Sequence, residues 1–223
     1  MNKSIIKYIV FNILFFIFFL ISCSSSSEKN VVTPKDDDKT TTDPRKGPIA
    51  KGCPNVKYPD WKTSPYVLPY PVGKAYDTEL TNCTKSFHAE GQPDQFAYDF
   101  NMDIGTLITC SRAGEVVALE ERGGLNGNFP NNYVVVDHGD DTYAIYMHLK
   151  YKGALVNIGD YVQQGDSIGL SGQTGLAGYP HLHFIVVVES WEYPYFGVPI
   201  TFSNTLSNVR GLASNTKYKA FSY

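Results

Sequence analysis

Hydrophobic positions in this chain fall in short runs, broken every few residues by Gly, Asn or Asp. Phe96–Phe100, Gly105–Ile108, Ala113–Val117, Asn132–Val136, Tyr143–Leu149 and His181–Val188 each have the length and the Val, Ile and aromatic content of a strand. No long amphipathic helical pattern interrupts them. The pattern predicts an all-β domain, with the Gly/Asn-rich joints 122–128 and 172–178 as loops. In the last run the polar positions are His181 and His183. Side chains alternate across a strand, so the two imidazoles share one face and Leu182 points to the other, where Phe184 and the following valines suggest a core.

The N-terminus has a different pattern. Lys3 and Lys7 precede a nearly unbroken apolar stretch from Tyr8 to Ile21, and Leu20-Ile21-Ser22-Cys23 closes it. The stretch is short against the roughly 20 residues needed to cross a bilayer. Its order, basic then apolar, is that of an export signal, and the closing box looks like a bacterial lipoprotein cleavage site. Residues 1–22 are therefore expected to be removed and Cys23 to be lipidated, which puts the protein at a membrane surface in the cell envelope. From Cys23 to Lys51 the chain turns to Ser, Lys, Asp, Thr and Pro. Such a segment buries too little apolar surface to fold and is expected to be a flexible tether. Residues 52–223 have the length of one domain.

Composition narrows the partners. Of the 223 residues 14% are aromatic, in keeping with strands, and a formal net charge of −3 without a basic stripe gives no support for a nucleic-acid partner. A monomer is expected. Export makes a disulfide reasonable. Cys53 and Cys83, both in turn-rich segments outside the strand runs, are the expected pair, and Cys110 in a strand run is expected as a buried thiol. No C-x-x-C spacing offers a cysteine zinc site.

Taken singly, the histidines have ordinary explanations. His88 follows Phe87 as a surface residue would, His138 sits in the turn-like Asp137-His138-Gly139, and His148 shares a predicted strand face with Ala144 and Tyr146. Their order together with neighbouring motifs is more specific. His88, Ala97-Tyr98-Asp99-Phe100, Gly105-Thr106, Gly114-Glu115-Val116-Val117, Tyr146-Met147-His148-Leu149, Gly165-Asp166-Ser167-Ile168-Gly169 and His181-Leu182-His183 follow one another as in the lysostaphin/LytM-like zinc metallopeptidases, which this chain resembles from 88 to 188.

The resemblance implies antiparallel sheets of the duplicated hybrid-motif type, with a groove floored by zinc. It also implies His88, Asp99 and His183 as metal ligands, leaving a position open for water. His148 and His181 would then be the general base and acid. The segment between His88 and Asp99 is longer than the family's usual H-x-x-x-D. Glu90, Asp94 and Asp103 are rival carboxylates, but the flanking Tyr98 and Phe100 favour Asp99 as the oriented ligand, while Asp94, in a Gly-Gln-Pro stretch, is expected to be a solvated turn residue. The implied function is hydrolysis of peptide cross-links in bacterial peptidoglycan. The alternative is a non-catalytic module that binds or regulates wall hydrolases.

The wild-type protein is expected to fractionate with membranes after detergent-free lysis, and Cys23→Ala to remain in the soluble fraction. Identical processing and partitioning of the two would remove the lipoprotein assignment.

Overall fold

The computed structural model describes residues 45–124 and 129–223. The export signal, Cys23 and the tether up to residue 44 lie outside the described residues, as do residues 125–128 of the Gly/Asn joint. Among the described residues the regular elements are twelve strands and two 3₁₀ turns, Trp61–Thr63 and Ser86–His88. In chain order the strands are β1 Ala75–Thr78, β2 Tyr98–Asn101, β3 Leu107–Thr109, β4 Gly114–Glu120, β5 Tyr133–Asp137 and β6 Thr142–Met147. They continue with β7 Leu149–Ala154, β8 Tyr161–Val162, β9 Ser167–Ser171, β10 His181–Val188, β11 Phe196–Gly197 and β12 Thr216–Lys219. The described residues have the all-β architecture expected from the run pattern and the antiparallel sheets that the resemblance implies.

One nine-stranded sheet runs β12-β1-β2-β10-β6-β5-β4-β8, with β11 paired to the far end of β10, and a second sheet runs β3-β9-β7. β10 lies at the centre of the large sheet because both its faces find apolar cover. Leu182, Phe184 and Val186 point into the main core with Tyr98, Phe100, Val134, Val136 and Tyr146, which Ile108, Leu149 and Ile168 of the smaller sheet complete. Ile185 and Val187 point the other way, with Ala97, Val135, Ile145 and Tyr195. A strand buried on both sides reads as a continuous apolar run, which explains Phe184–Val188. Buried tyrosines keep a partner: Tyr98 Oη donates to Ile200 O at 3.1 Å and Tyr70 Oη to Tyr218 O at 2.8 Å.

Packing begins ahead of Gly52. Ser207 N–H donates to Arg45 O at 2.6 Å, the Arg45 guanidinium lies 4.3 Å from the centre of the Trp61 ring, and Ala50 is buried. Cys53 and Cys83 are joined by a disulfide with Cα atoms 5.0 Å apart, within the span a bridge allows. The bridge forms a small apolar cluster with Phe96, and Cys83 N–H donates to Gln95 O at 2.9 Å. It thereby ties the entering chain to the loop between His88 and β2. Cys110 is buried without a disulfide, and burial pushes its thiol up to about 11.

Closing a loop over a sequence separation of 30 should stabilise the fold by about 3–4 kcal/mol on the chain-entropy account. Cys53→Ser/Cys83→Ser is expected to lose that amount in a urea titration of the reduced and oxidised forms, with Cys110→Ser as the control lacking a cross-link effect.

Candidate metal centre and active site

Register builds the site. In the antiparallel pairing Tyr133 on β5 faces Met147 on β6, Met147 faces His183 on β10, and His183 faces Asp99 on β2. Cross-strand partners share a face, so these four form one row across the sheet. His183 and Asp99 are thus placed side by side by backbone pairing alone. Asp99 sits between Tyr98 and Phe100, which both point into the main core, so its carboxylate must face the opposite side; it is 3% exposed. His181 lies two residues before His183 on the same face, paired with Asn101.

The remaining imidazoles arrive from outside this row. His88 ends the 3₁₀ turn Ser86–His88 and is buried. His148 falls between β6 and β7, where its φ of +65° breaks the strand. Uninterrupted alternation would place it with Ala144 and Tyr146 in the main core; the left-handed turn instead directs it toward the cleft beside Met147. The face assigned to His148 from alternation is therefore corrected by one backbone torsion. Asn131 holds that turn by accepting from His148 N–H at 3.1 Å. Gly175 makes room for Asn131, since a Cβ there would lie 2.7 Å from the Asn131 Cβ.

Hydrogen bonds fix the tautomers. His88 Nδ1 is 3.1 Å from Ala97 O, His148 Nδ1 2.7 Å from Thr174 O, and His181 Nδ1 2.8 Å from Tyr179 O. A carbonyl only accepts, so each Nδ1 carries the proton and each neutral ring keeps its lone pair on Nε2. His88 Nε2 then faces Asp99 Oδ1 at 3.2 Å, and His181 Nε2 faces the same oxygen at 3.7 Å. His183 Nδ1 lies 2.9 Å from Asp99 Oδ1. Lone pairs converging on a buried carboxylate oxygen require a proton or a cation among them. One donor atom each from His88, Asp99 and His183 lies within 4.8 Å of the others, and the same holds for His148, His181 and His183. The first set, two imidazoles and a carboxylate, suits zinc.

Electrostatics separate the roles further. Burial first, then the neighbouring His183 and His181, hold His148 down at about 3, so it is neutral at physiological pH. Burial also lowers His181, against the pull of Asp99. For His183 burial opposes the charged form, but the Asp94 and Asp99 carboxylates outweigh it and carry the ring up to about 10. Asp99 is lowered although burial opposes this, because His183 and His88 favour its anion.

The expected residues Asp99, His148, His181, His183 and His88 all line one cavity of about 820 Å³, together with Phe87, Phe129, Leu176, Trp191 and Tyr193. Glu90 and Asp103 are exposed and belong to neither donor set. His138 lies elsewhere, with Nδ1 2.9 Å from Ala113 O. Asp94 is a correction: it is not a solvated turn residue but lines the cavity, with Oδ1 3.3 Å from His183 Nε2 and accepting from Tyr195 Oη at 2.5 Å. Its partners are far along the chain, and the local Gly-Gln-Pro context carries no sign of them. Thr174, Asn131 and Tyr179 also escaped sequence reasoning. Tyr179 stacks on His181 with ring centres 4.4 Å apart, and only the aromatic just before His181 hinted at it.

Residues 94–193 match the model of peptidase family M23. The matched segment contains Asp94, Asp99, His148, His181 and His183; His88 precedes it. The chain is 41% identical over 91 residues to the peptidoglycan DD-endopeptidase ShyA of Vibrio cholerae, covering 41% of this chain and 20% of that protein. It is 36% identical over 108 residues to lysostaphin of Staphylococcus simulans, covering 48% of this chain and 21% of lysostaphin. The chain thus spans about a fifth of the length of these curated relatives. Among solved structures, a zinc-containing peptidase from Vibrio cholerae superimposes with a TM-score of 0.43 at 27% identity, covering 56% of this chain and 37% of that one. The segment 94–193 is thus similar to the M23 peptidases.

Stability should depend on pH through His148. Its folded value of about 3 lies below the ordinary 6.5, so between the two the unfolded chain binds the extra proton. The contribution is complete above pH 6.5 and is lost as pH falls toward 3. His181, also lowered, acts with the same sign. The denaturation midpoint of metal-free protein is expected to fall between about pH 7 and about pH 4, and His148→Gln should remove part of that fall. An unchanged slope in the variant would contradict the assignment.

Proposed function

We propose that this protein is a zinc-dependent endopeptidase that hydrolyses peptide cross-links of bacterial peptidoglycan, working in the cell envelope from a lipid anchor at Cys23. The observation that carries the reading is the convergence of the His88 Nε2 lone pair and His183 Nδ1 on Asp99 Oδ1, at 3.2 and 2.9 Å in a buried site. His88 Nε2, Asp99 Oδ1 and His183 Nδ1 would hold the ion. Zinc, when bound, supplies a Lewis acid for the scissile carbonyl and lowers the pKa of a water molecule toward about 7. The family match and the named activity of ShyA, a peptidoglycan DD-endopeptidase, support the substrate class. The basic-then-apolar N-terminus and the Leu20–Cys23 box support the location.

The protein's own groups divide the proton work. His148, neutral and held by Thr174 O and Asn131 Oδ1, has Nε2 free to accept the proton of the attacking water and to return it to the leaving amine. His181, with Nδ1 donating to Tyr179 O, lies with its ring centre 4.6 Å from that of His148. After taking up a proton from solvent at Nε2, it donates to the oxygen on which negative charge develops, and it gives the proton back to solvent when the carbonyl re-forms. Asp99 keeps its charge throughout.

Zinc analysis and digestion of purified peptidoglycan test this directly. His183→Ala is expected to lose both metal and hydrolysis, whereas His181→Ala should keep zinc and lose about 10²–10⁴-fold in rate. Full zinc and activity in Asp99→Ala would exclude that ligand. A wild-type protein that binds no zinc and releases no peptide would point to the non-catalytic wall-binding module instead.

A further inference from the structure

His183 is asked to do two things with one ring. Nδ1 lies 2.9 Å from Asp99 Oδ1 and Nε2 lies 3.3 Å from Asp94 Oδ1. A neutral imidazole has one lone pair and one N–H. If His183 joins Asp99 and His88 around one ion, as the zinc-peptidase reading requires, the lone pair must be on Nδ1 and the proton on Nε2. That N–H is buried and makes no aligned hydrogen bond. Asp94 is the acceptor within reach.

Asp94 is itself held in place. Tyr195 Oη donates to its Oδ1 at 2.5 Å, and Ala97 N–H donates to its carbonyl at 2.9 Å. Tyr195 belongs to the apolar cluster on the cleft side of the sheet, so the phenol that restrains the carboxylate is itself anchored by packing. The loop lies tightly against β11: a Cβ on Gly197 would meet Pro93 O at 3.2 Å. The segment between His88 and Asp99 therefore does more than span a distance, because it brings a carboxylate behind the imidazole that the sheet supplies.

We propose that Asp94 is a positioning residue: its carboxylate accepts the Nε2 proton of His183 and thereby selects the tautomer and ring orientation that present Nδ1 to the metal. Outer carboxylates of this kind are worth about 10–100-fold in metal affinity. The proposal rests on the zinc reading, and its test separates the two.

Zinc affinity of the purified, disulfide-intact protein is measured by competition with a chromogenic chelator, alongside the visible spectrum of the cobalt-substituted protein and the denaturation midpoint of the metal-free form. Asp94→Ala is expected to weaken zinc by about 10–100-fold and to shift the cobalt bands. Asp94→Asn, whose amide oxygen still accepts the Nε2 proton, should recover part of the affinity. Tyr195→Phe keeps the packed ring but frees the carboxylate, and should weaken zinc by less than Asp94→Ala. The proposal is overturned if Asp94→Ala binds zinc as tightly as wild type, or if Asn gives no recovery and both variants merely lower the midpoint. Absence of zinc from the wild type would instead overturn the peptidase reading on which it stands.

Discussion

The arrangement of this domain depends on one buried carboxylate. Asp99 lies in a central strand with aromatic neighbours on both sides, and an uncompensated charge there would be expelled or neutralised. It is kept as an anion because His88 and His183 face the same oxygen. Each of those rings is in turn restrained, His88 by a backbone carbonyl and His183 by strand pairing. Removing any one partner leaves the others buried and unmatched, which is more costly than the interaction itself is stabilising. The site is therefore a coupled unit, carried by a sheet whose pairing sets Asp99 and His183 side by side.

Strand alternation made half of this site legible in the sequence. His181 and His183 on one face, Leu182 on the other, and Asp99 opposed to Tyr98 and Phe100 all follow from a period of two, and β10 and β2 pair without a register shift that would break it. His148 escaped the same rule because a single left-handed residue separates β6 from β7. Nothing in Tyr146-Met147-His148-Leu149 requires that torsion locally; it is held by Asn131 and Thr174, which come from other segments. Asp94 was misread for a similar reason. Its Gly-Gln-Pro surroundings describe a turn correctly, but the turn folds inward because Tyr195, far along the chain, offers it a hydroxyl.

His88 is the candidate ligand most distant from the strands, and its placement shows how the loop substitutes for a strand. The 3₁₀ turn that carries it has no side-chain cap. Its fixed points are the disulfide at Cys83, the Cys83 N–H bond to Gln95 O, and the imidazole bond to Ala97 O. Together they close the loop at both ends of the segment from 83 to 97. A long insertion between two metal donors would ordinarily weaken a site by the entropy of ordering it. Here a covalent tie and backbone hydrogen bonds order much of the segment within the folded domain.

The cleft walls complete the electrostatic logic. Ile145, Met147, Val135 and Trp191 border the histidines, and an apolar boundary strengthens every charge interaction inside it. The same burial that favours pairing between His183 and its carboxylates disfavours a second and third imidazolium beside it, so His148 and His181 are pushed toward neutrality. Imidazoles within one cavity thus acquire different protonation states without any difference in their chemistry. His183, with two carboxylates, is matched to a positive charge beside it, whether a proton or a bound cation, while His148 and His181 are left as bases. Distance from Asp99 and Asp94 makes that division, and it follows from which strand or turn each histidine occupies.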